Sequence, residues 1–217
     1  MANNAMGKAA ARVVMSMRIT EAQGYDEPRD SISHDWIGLV QSLGLVPLLL
    51  PNGIDDPVDY LEALRPDLLI LTGGDDPGTD TPRDRTESLL LEYAAGQGLP
   101  VLGVCRGLQA INLHFGGRLS TVTGHVAADH PVTLESAFVA LYGADATVNS
   151  FHELSVPADG LAPGLVPAAL DGHGNIEALH HESLPVVGVM WHPERPGAPV
   201  GDRALFGRLI EEGAFWH

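Results

Sequence analysis

Cys105 is the only cysteine among 217 residues, and the run Gly103-Val104-Cys105-Arg106-Gly107 sets it between an apolar strand and a helical segment over Leu108 to Phe115. Strand, nucleophile and helix in that succession make a nucleophile elbow, with Cys where hydrolases often carry Ser. Glycine two residues before and two after leaves room for a sharp turn and for close approach of a substrate. Unpaired N–H groups and the dipole at a helix N-terminus favour a thiolate. They predict a thiol pKa of roughly 3.5 to 7.5 instead of about 8.5, and so an ionised Cys105 at neutral pH. A lone cysteine closing an apolar strand also suits plain packing. Packing alone, however, gives no reason for glycine on both sides with a helix directly after, and the nucleophile is favoured.

A thiol nucleophile needs a base, and the imidazole that serves as base needs a partner on its other ring nitrogen to fix tautomer and orientation. Trp191-His192-Pro193-Glu194 offers both, two polar residues separated by a rigid proline at the end of the Val-rich run Val186 to Met190. An isolated His-Pro-Glu would suit an ordinary loop. Its value here comes from the elements that must carry it.

Short apolar runs at Val13–Met17, Val46–Leu50, Leu68–Leu71 and Val101–Val104 have the length of buried strands. Helical spacing separates them over Ile32–Leu43, Pro57–Leu64 and Asp84–Ala95. Strands alternating with helices imply parallel βαβ units and an α/β class, a doubly wound, mostly parallel sheet with helices on both faces. In such a sheet the C-terminal ends of the strands share one edge, so His192 can reach Cys105 across a long sequence gap. Beyond Phe115, the Val-, Thr- and His-rich stretch from Leu119 to Asn149 predicts a small extension of shorter, partly antiparallel strands. Ala168–His180 predicts a hairpin turning at Asp171-Gly172-His173-Gly174-Asn175. Asp202–Glu212 predicts a closing helix capped by Asp202.

Composition bounds the rest. No apolar run approaches the roughly 20 residues of a membrane span, residues 1–10 do not resemble a secretory signal, and a single cysteine fits a reducing compartment. The expectation is a soluble, cytoplasmic chain with a flexible tail over 1–10 and one catalytic domain over 11–217. A formal net charge of −16 disfavours nucleic-acid partners, because that binding rests on Lys and Arg neutralising phosphates. His125 and His130 lack clustered Cys or carboxylate partners at metal-site spacing, and His180 and His181 point to opposite faces of a strand. No metal and no cofactor is expected.

Four ordered segments carry a family resemblance: Leu71-Thr72-Gly73-Gly74-Asp75, Gly103-Val104-Cys105-Arg106-Gly107-Leu108-Gln109, Asn149-Ser150-Phe151-His152 and Trp191-His192-Pro193-Glu194. Together they resemble class I glutamine amidotransferases, with a flavodoxin-like fold, and within that group the γ-glutamyl hydrolase branch that includes γ-glutamyl-γ-aminobutyrate hydrolases. The resemblance runs from about Arg12 to Glu194. It implies Cys105 as nucleophile forming a γ-glutamyl thioester, His192 as general base and acid, and Glu194 as its orienting partner. It further implies an oxyanion hole from the backbone N–H groups of Gly74 and Arg106, and glutamyl contacts at Gly73, Gln109, Ser150, Phe151 and His152. Where that branch often continues its Asn-Ser-x-His segment with His and Gln, this chain has Glu153 and Leu154, which leaves the leaving-group specificity open.

The stretch from Tyr25 to Trp36 reads as a loop overhanging the site. Its Pro28-Arg29-Asp30 and His34-Asp35-Trp36 are similar to a subgroup that hydrolyses γ-glutamyl-CDP-amidate in capsular polysaccharide phosphoramidate synthesis. Arg18 and Arg29 are then candidate phosphate contacts, and structural ion pairs are the competing account of both. The implied partner is a small-molecule γ-glutamyl substrate; a homodimer stays open. The alternative is a glutaminase subunit that supplies ammonia to a separate synthase. A catalytically silent binding module is disfavoured because it has no chemical reason to keep the whole Cys, His and Glu set.

Overall fold

The computed structural model describes residues 9–217; most of the tail expected over 1–10 lies outside them. Nineteen strands and α-helices follow in chain order, and the first half alternates as the apolar runs predict. Strand β1 (Arg12–Ser16) leads to a hairpin of β2 (Arg18–Glu21) and β3 (Pro28–Ser31), then α1 (His34–Ser42), β4 (Val46–Leu50), α2 (Pro57–Leu64) and β5 (Leu68–Leu71). Next come α3 (Thr81–Gln97), β6 (Val101–Val104) and α4 (Arg106–His114). The second half holds β7 (Ser120–Thr121), β8 (Val126–Leu134), a four-residue α5 (Val139–Tyr142), β9 (Asp145–Phe151) and β10 (Leu154–Pro157). It closes with β11 (Leu165–Leu170), β12 (Asn175–His181), β13 (Val186–Val189) and α6 (Gly201–Glu212).

The main sheet has the order β4-β1-β5-β6-β13-β12-β11-β8-β9. Its first five strands are parallel, with β1 at the point where the winding reverses, and from β13 outward the pairing is antiparallel. This is the flavodoxin-like α/β arrangement, in which the crevice beyond the carboxyl ends of the strands is the natural ligand site. Alternation along each strand sends Val13 and Met15 into one core with Trp36, Val40, Leu205 and Phe206. Val14, on the opposite face, packs with Leu61, Leu90, Leu108 and Ile111. No described helix is long and apolar enough to cross a membrane.

Three expectations need correction. The stretch after Arg18 is not a plain loop but the β2–β3 hairpin, with Arg18 paired to Ser31 and Thr20 to Arg29. Helix α3 begins at Thr81 and not Asp84, because its first buried turn carries Arg83 and Glu87 and therefore shows no apolar stripe. Asp202 does not cap α6: Val200 precedes the helix, and Asp202 Oδ1 instead accepts from Tyr142 Oη (2.7 Å) and Trp191 Nε1 (3.0 Å). That buried carboxylate ties α6 to the segment carrying His192.

Candidate active site

The parallel register decides what meets at the sheet edge. Leu71 aligns with Gly103, and Val104 with Val189, so three strands deliver Thr72-Gly73-Gly74, Cys105 and Trp191-His192 side by side. The Cys105 N–H donates to the Val189 carbonyl (2.8 Å), which fixes the elbow to the His-bearing strand. Cys105 itself sits at φ 52°, ψ −106°, a conformation an L-residue holds only when its surroundings over-determine it. The surroundings do so. A Cβ on Gly107 would collide with the Leu71 backbone, so glycine there lets α4 close onto β5 and forces the turn at Cys105.

Cys105, Gly73, Gly74, Thr72, His192 and Glu194 line one cavity of about 220 Å³, with Phe151, Arg18 and Arg195 on its walls. His192 Nδ1 lies 2.8 Å from Glu194 Oε1, both side chains almost wholly buried. This contact leaves His192 Nε2 buried and without a hydrogen bond among the described residues. Asn149 clamps the backbone of the same residue, its Oδ1 accepting from the His192 N–H (2.8 Å) and its Nδ2 donating to the His192 carbonyl (3.1 Å). The Phe151 ring meets the imidazole edge-on at 5.6 Å, and the Arg195 guanidinium lies 4.2 Å from the Phe151 ring centre.

The amide of Arg106 faces the Cys105 sulfur and lowers its pKa, but burial outweighs it and, with the Glu194 charge adding to the rise, pushes the thiol up to about 12. The expectation of a resting thiolate is therefore overturned: the helix N-terminus acts, but in a desolvated place where the neutral form wins.

A buried ionic cluster stands behind the second candidate amide. Arg83 Nε pairs with Glu87 Oε1 (2.9 Å), and Arg83 Nη2 donates to the carbonyls of Thr72 (2.7 Å) and Gly73 (3.1 Å). Glu87 also accepts from Ser16 Oγ (2.7 Å) and pairs with the Arg106 side chain, which reaches Asp84 as well. The Gly73 carbonyl belongs to the peptide unit that carries the Gly74 N–H, and in a trans peptide the two point in opposite directions. Drawing the carbonyl toward Arg83 therefore turns the N–H away from it. Gly74 has φ 154° and no room for a Cβ beside Arg83, so only glycine fits.

The sequence candidates divide. Cys105, His192, Glu194, Gly73, Gly74, Phe151 and Arg18 share the cavity, and the Arg106 amide reaches the sulfur. Gln109, Ser150, His152 and Arg29 do not line it. Gln109 is buried and donates to the Leu154 carbonyl (3.0 Å); Ser150 Oγ donates to the His125 carbonyl (2.7 Å). His152 turns to the opposite face of β9 from Phe151, where it joins His125, His130 and Glu177. That grouping corrects the expectation that His125 and His130 have no carboxylate near them, since Glu177 comes from a strand far along the chain. Arg29 is held by Glu27 (2.6 Å) and by the Tyr25 hydroxyl (2.6 Å), the local ion-pair reading of that residue. Arg195, Asn149, Arg83 and Trp36 were missed. Arg195 directly follows the His-Pro-Glu signature and Asn149 opens the Asn-Ser-Phe-His segment, so the sequence neighbours of both could have marked them.

Two outcomes follow from this geometry. Alkylation of free Cys105 by iodoacetamide should accelerate about tenfold per pH unit between about pH 7 and 10, as a raised thiol pKa demands; a rate already flat below about pH 7 would mean a thiolate–imidazolium pair in the free protein. Arg83→Lys keeps the charge but loses the fork that holds Glu87 and the Gly73 carbonyl together. Its kcat should fall by about 10² with an unchanged far-UV spectrum, the scale of losing one oxyanion donor. An unaffected kcat would detach Arg83 from the orientation of Gly74.

Residues 12–194 match the Peptidase C26 family. A glutamine-hydrolysing GMP synthase component from Methanosarcina barkeri is 32% identical to this chain, covering 76% of it and 83% of the relative. A γ-glutamyl-CDP-amidate hydrolase of Campylobacter jejuni is 28% identical over 83% of this chain and 88% of its own length. A Thermoplasma acidophilum crystal structure, assigned to the same kind of GMP synthase component, superposes with a TM-score of 0.73 at 20% identity, covering 94% of both chains. With a cysteine elbow, a buried His–Glu pair and two glycine-bearing strand ends at one sheet edge, the chain belongs to the Peptidase C26 family of class I glutamine amidotransferase-like hydrolases, enzymes that act on amide bonds.

Proposed function

We propose that the chain hydrolyses γ-glutamyl amide bonds through a Cys105–His192–Glu194 triad and a γ-glutamyl thioester. The observation that carries this reading is the single cavity lined by Cys105, a Glu194-held His192 and the Gly73-Gly74 turn. In the reaction, the Cys105 proton passes to His192 Nε2 as Sγ attacks the γ-carbonyl carbon. The Gly74 and Arg106 N–H groups receive the developing oxyanion. The C–N bond then breaks, His192 gives its proton to the departing nitrogen, and the amine or amidate leaves. Water attacks the thioester with His192 again as base, and the C–S bond breaks to release glutamate and the thiol. Glu194, on Nδ1, orients the ring and stabilises the imidazolium formed in each step.

Substrate charge is met by Arg18 and Arg195, the two guanidinium groups on the cavity wall. Arg18 is paired at 3.1 Å with an exposed Asp75, an interaction weak enough to yield to an anionic ligand. The Campylobacter relative supports a phosphorylated leaving group. The Methanosarcina relative supports the second reading, a glutaminase that passes ammonia to a synthase partner.

For the triad, Cys105→Ala should abolish turnover with the fold intact. His192→Ala should approach that loss, while Glu194→Gln, which removes only the orienting charge, should keep measurable activity. Steady-state kinetics with circular dichroism as the folding control decides, and near-normal hydrolysis by Cys105→Ala removes the covalent mechanism.

For the substrate, Arg18→Ala and Arg195→Ala should weaken kcat/KM for a γ-glutamyl nucleotide amidate by about 10- to 100-fold more than for a γ-glutamyl anilide, the worth of a charged hydrogen bond. Arg29→Ala should change neither. Equal losses on both substrates assign these arginines to the glutamyl half. Brisk glutamine hydrolysis with no cleavage of N-substituted amides favours the ammonia-supplying reading.

A further inference from the structure

On the face of β9 turned away from the triad, the side chains of His125, His130, His152 and Glu177 converge, with one ligand atom from each lying within 4.8 Å of all the others. Each histidine has its Nδ1 against a backbone carbonyl: His125 on Thr123 (3.2 Å), His130 on Pro131 (3.3 Å) and His152 on Leu154 (2.9 Å). A carbonyl can only accept, so Nδ1 carries the proton in all three and Nε2 keeps its lone pair. All three Nε2 atoms point at the Glu177 carboxylate, at 3.8 Å from His125, 3.7 Å from His130 and 3.7 Å from His152. None of the three Nε2 atoms, nor either Glu177 oxygen, has a hydrogen-bond partner among the described residues, although the Glu177 and His152 side chains are 1% exposed. Five unpaired buried polar atoms aimed at one another cost too much to persist unless something joins them.

We propose that His125, His130, His152 and Glu177 form a binding site for one divalent transition-metal ion of the zinc class. Three neutral imidazole nitrogens and a carboxylate oxygen, with no thiolate, are the donor set such ions take. Histidine ligands held by carbonyls on the opposite nitrogen are the usual supporting arrangement. Binding would contract the cluster toward bond lengths of about 2.0–2.2 Å, with Glu177 ligating as the carboxylate. Asp171 Oδ2 lies 3.2 Å from His125 Nε2, but it already accepts from Asn175 Nδ2 (2.8 Å) while Oδ1 accepts the His173 and Asn175 N–H groups. It adds negative charge beside the ion without being needed as a ligand.

The backbone is shaped for this convergence. His125 and His130 are five residues apart, an odd spacing that puts them on opposite faces of a regular strand. The pairing of β8 with β9 slips between Val126 and Ala128, leaving Ala127 as an extra residue at φ 52°. One inserted residue restores both histidines to the same face. A non-glycine in the left-handed region is a local expense that the grouping explains. Since His152 directly follows Phe151, the ion would pin the strand whose Asn149 and Phe151 hold His192.

The test is Zn²⁺ titration of the full chain after dialysis against a chelator, with Co²⁺ as a spectroscopic probe. One equivalent should bind per chain and raise the melting temperature; Glu177→Gln and His130→Ala should each weaken binding by more than about tenfold. His130 is partly exposed, so its variant remains informative should Glu177→Gln fail to fold. Cys105→Ala should bind as the parent does, and the Co²⁺ form should show no thiolate charge-transfer band. Absence of a stoichiometric site overturns the proposal, as does binding lost in Cys105→Ala and retained in Glu177→Gln, which would put the ion on the catalytic side.

Discussion

The hydrogen bond from Arg83 to the Gly73 carbonyl is the contact on which the candidate site depends most. It sets the direction of a single peptide unit, and the opposite end of that unit is the Gly74 N–H. A peptide between two glycines is the easiest in a chain to turn over, since no Cβ opposes either orientation. The protein therefore commits a buried guanidinium to one orientation. Burying Arg83 and Arg106 is costly, and Arg83 is held below the usual arginine range by that burial. The cost is offset in part because Glu87 lies between the two cations, the Thr72 and Gly73 carbonyls accept from Arg83, and Asp84 pairs with Arg106. Since Glu87 also touches the side chain of the residue after the nucleophile, the same cluster sits behind both candidate amides.

Cys105 shows a related compromise. The elbow presents Cys105 at a helix N-terminus, which favours the thiolate, yet packs it so closely that the thiol prevails. A neutral thiol resists alkylation and oxidation while no substrate is present. Under the proposed mechanism it also makes the relation between His192 and Glu194 decisive, because the proton would leave within the same step that forms the bond. The buried Glu194 beside Nδ1, and Asn149 gripping the His192 backbone from both sides, supply the rigidity that such a step requires.

Much of this was legible in the sequence, for physical reasons that also explain what was not. Strands buried on both faces read as continuous apolar runs, so β5 and β6 fall on the residues expected, and the apolar edge strand β4 does as well. The Cys105 elbow and the His192-Pro193-Glu194 end are local signatures on neighbouring strand ends, and parallel topology alone brings them together. Helix α3 lost its first turn because the residues it buries there are charged. Ser150 and His152 flank the pocket residue Phe151 in sequence and Gln109 lies one helical turn past Cys105, but their side chains are engaged elsewhere, Gln109 on the Leu154 carbonyl, Ser150 on the His125 carbonyl and His152 in the histidine cluster. Arg29 follows local pairing and leaves the cavity to Arg18 and Arg195. The histidine cluster was hidden twice over, by a one-residue bulge that breaks the period-two rule and by a carboxylate 25 residues beyond its nearest partner, His152.

The electrostatics of the whole chain constrain what the cavity can receive. A net charge of −16 surrounds the molecule with a field that opposes anions at long range. Salt screens that field within about 8–10 Å, whereas the two wall arginines act at contact distance. Arg195 is stacked on Phe151 and lies 3.8 Å from Glu194, so its charge is held in place before any ligand arrives. Arg18 is tethered only to a solvent-exposed aspartate and can change partners. An anionic ligand entering this cavity would thus meet one fixed and one adaptable cation inside a repelling shell, an arrangement that opposes approach by anions in general and favours retention of one that places its charge against both.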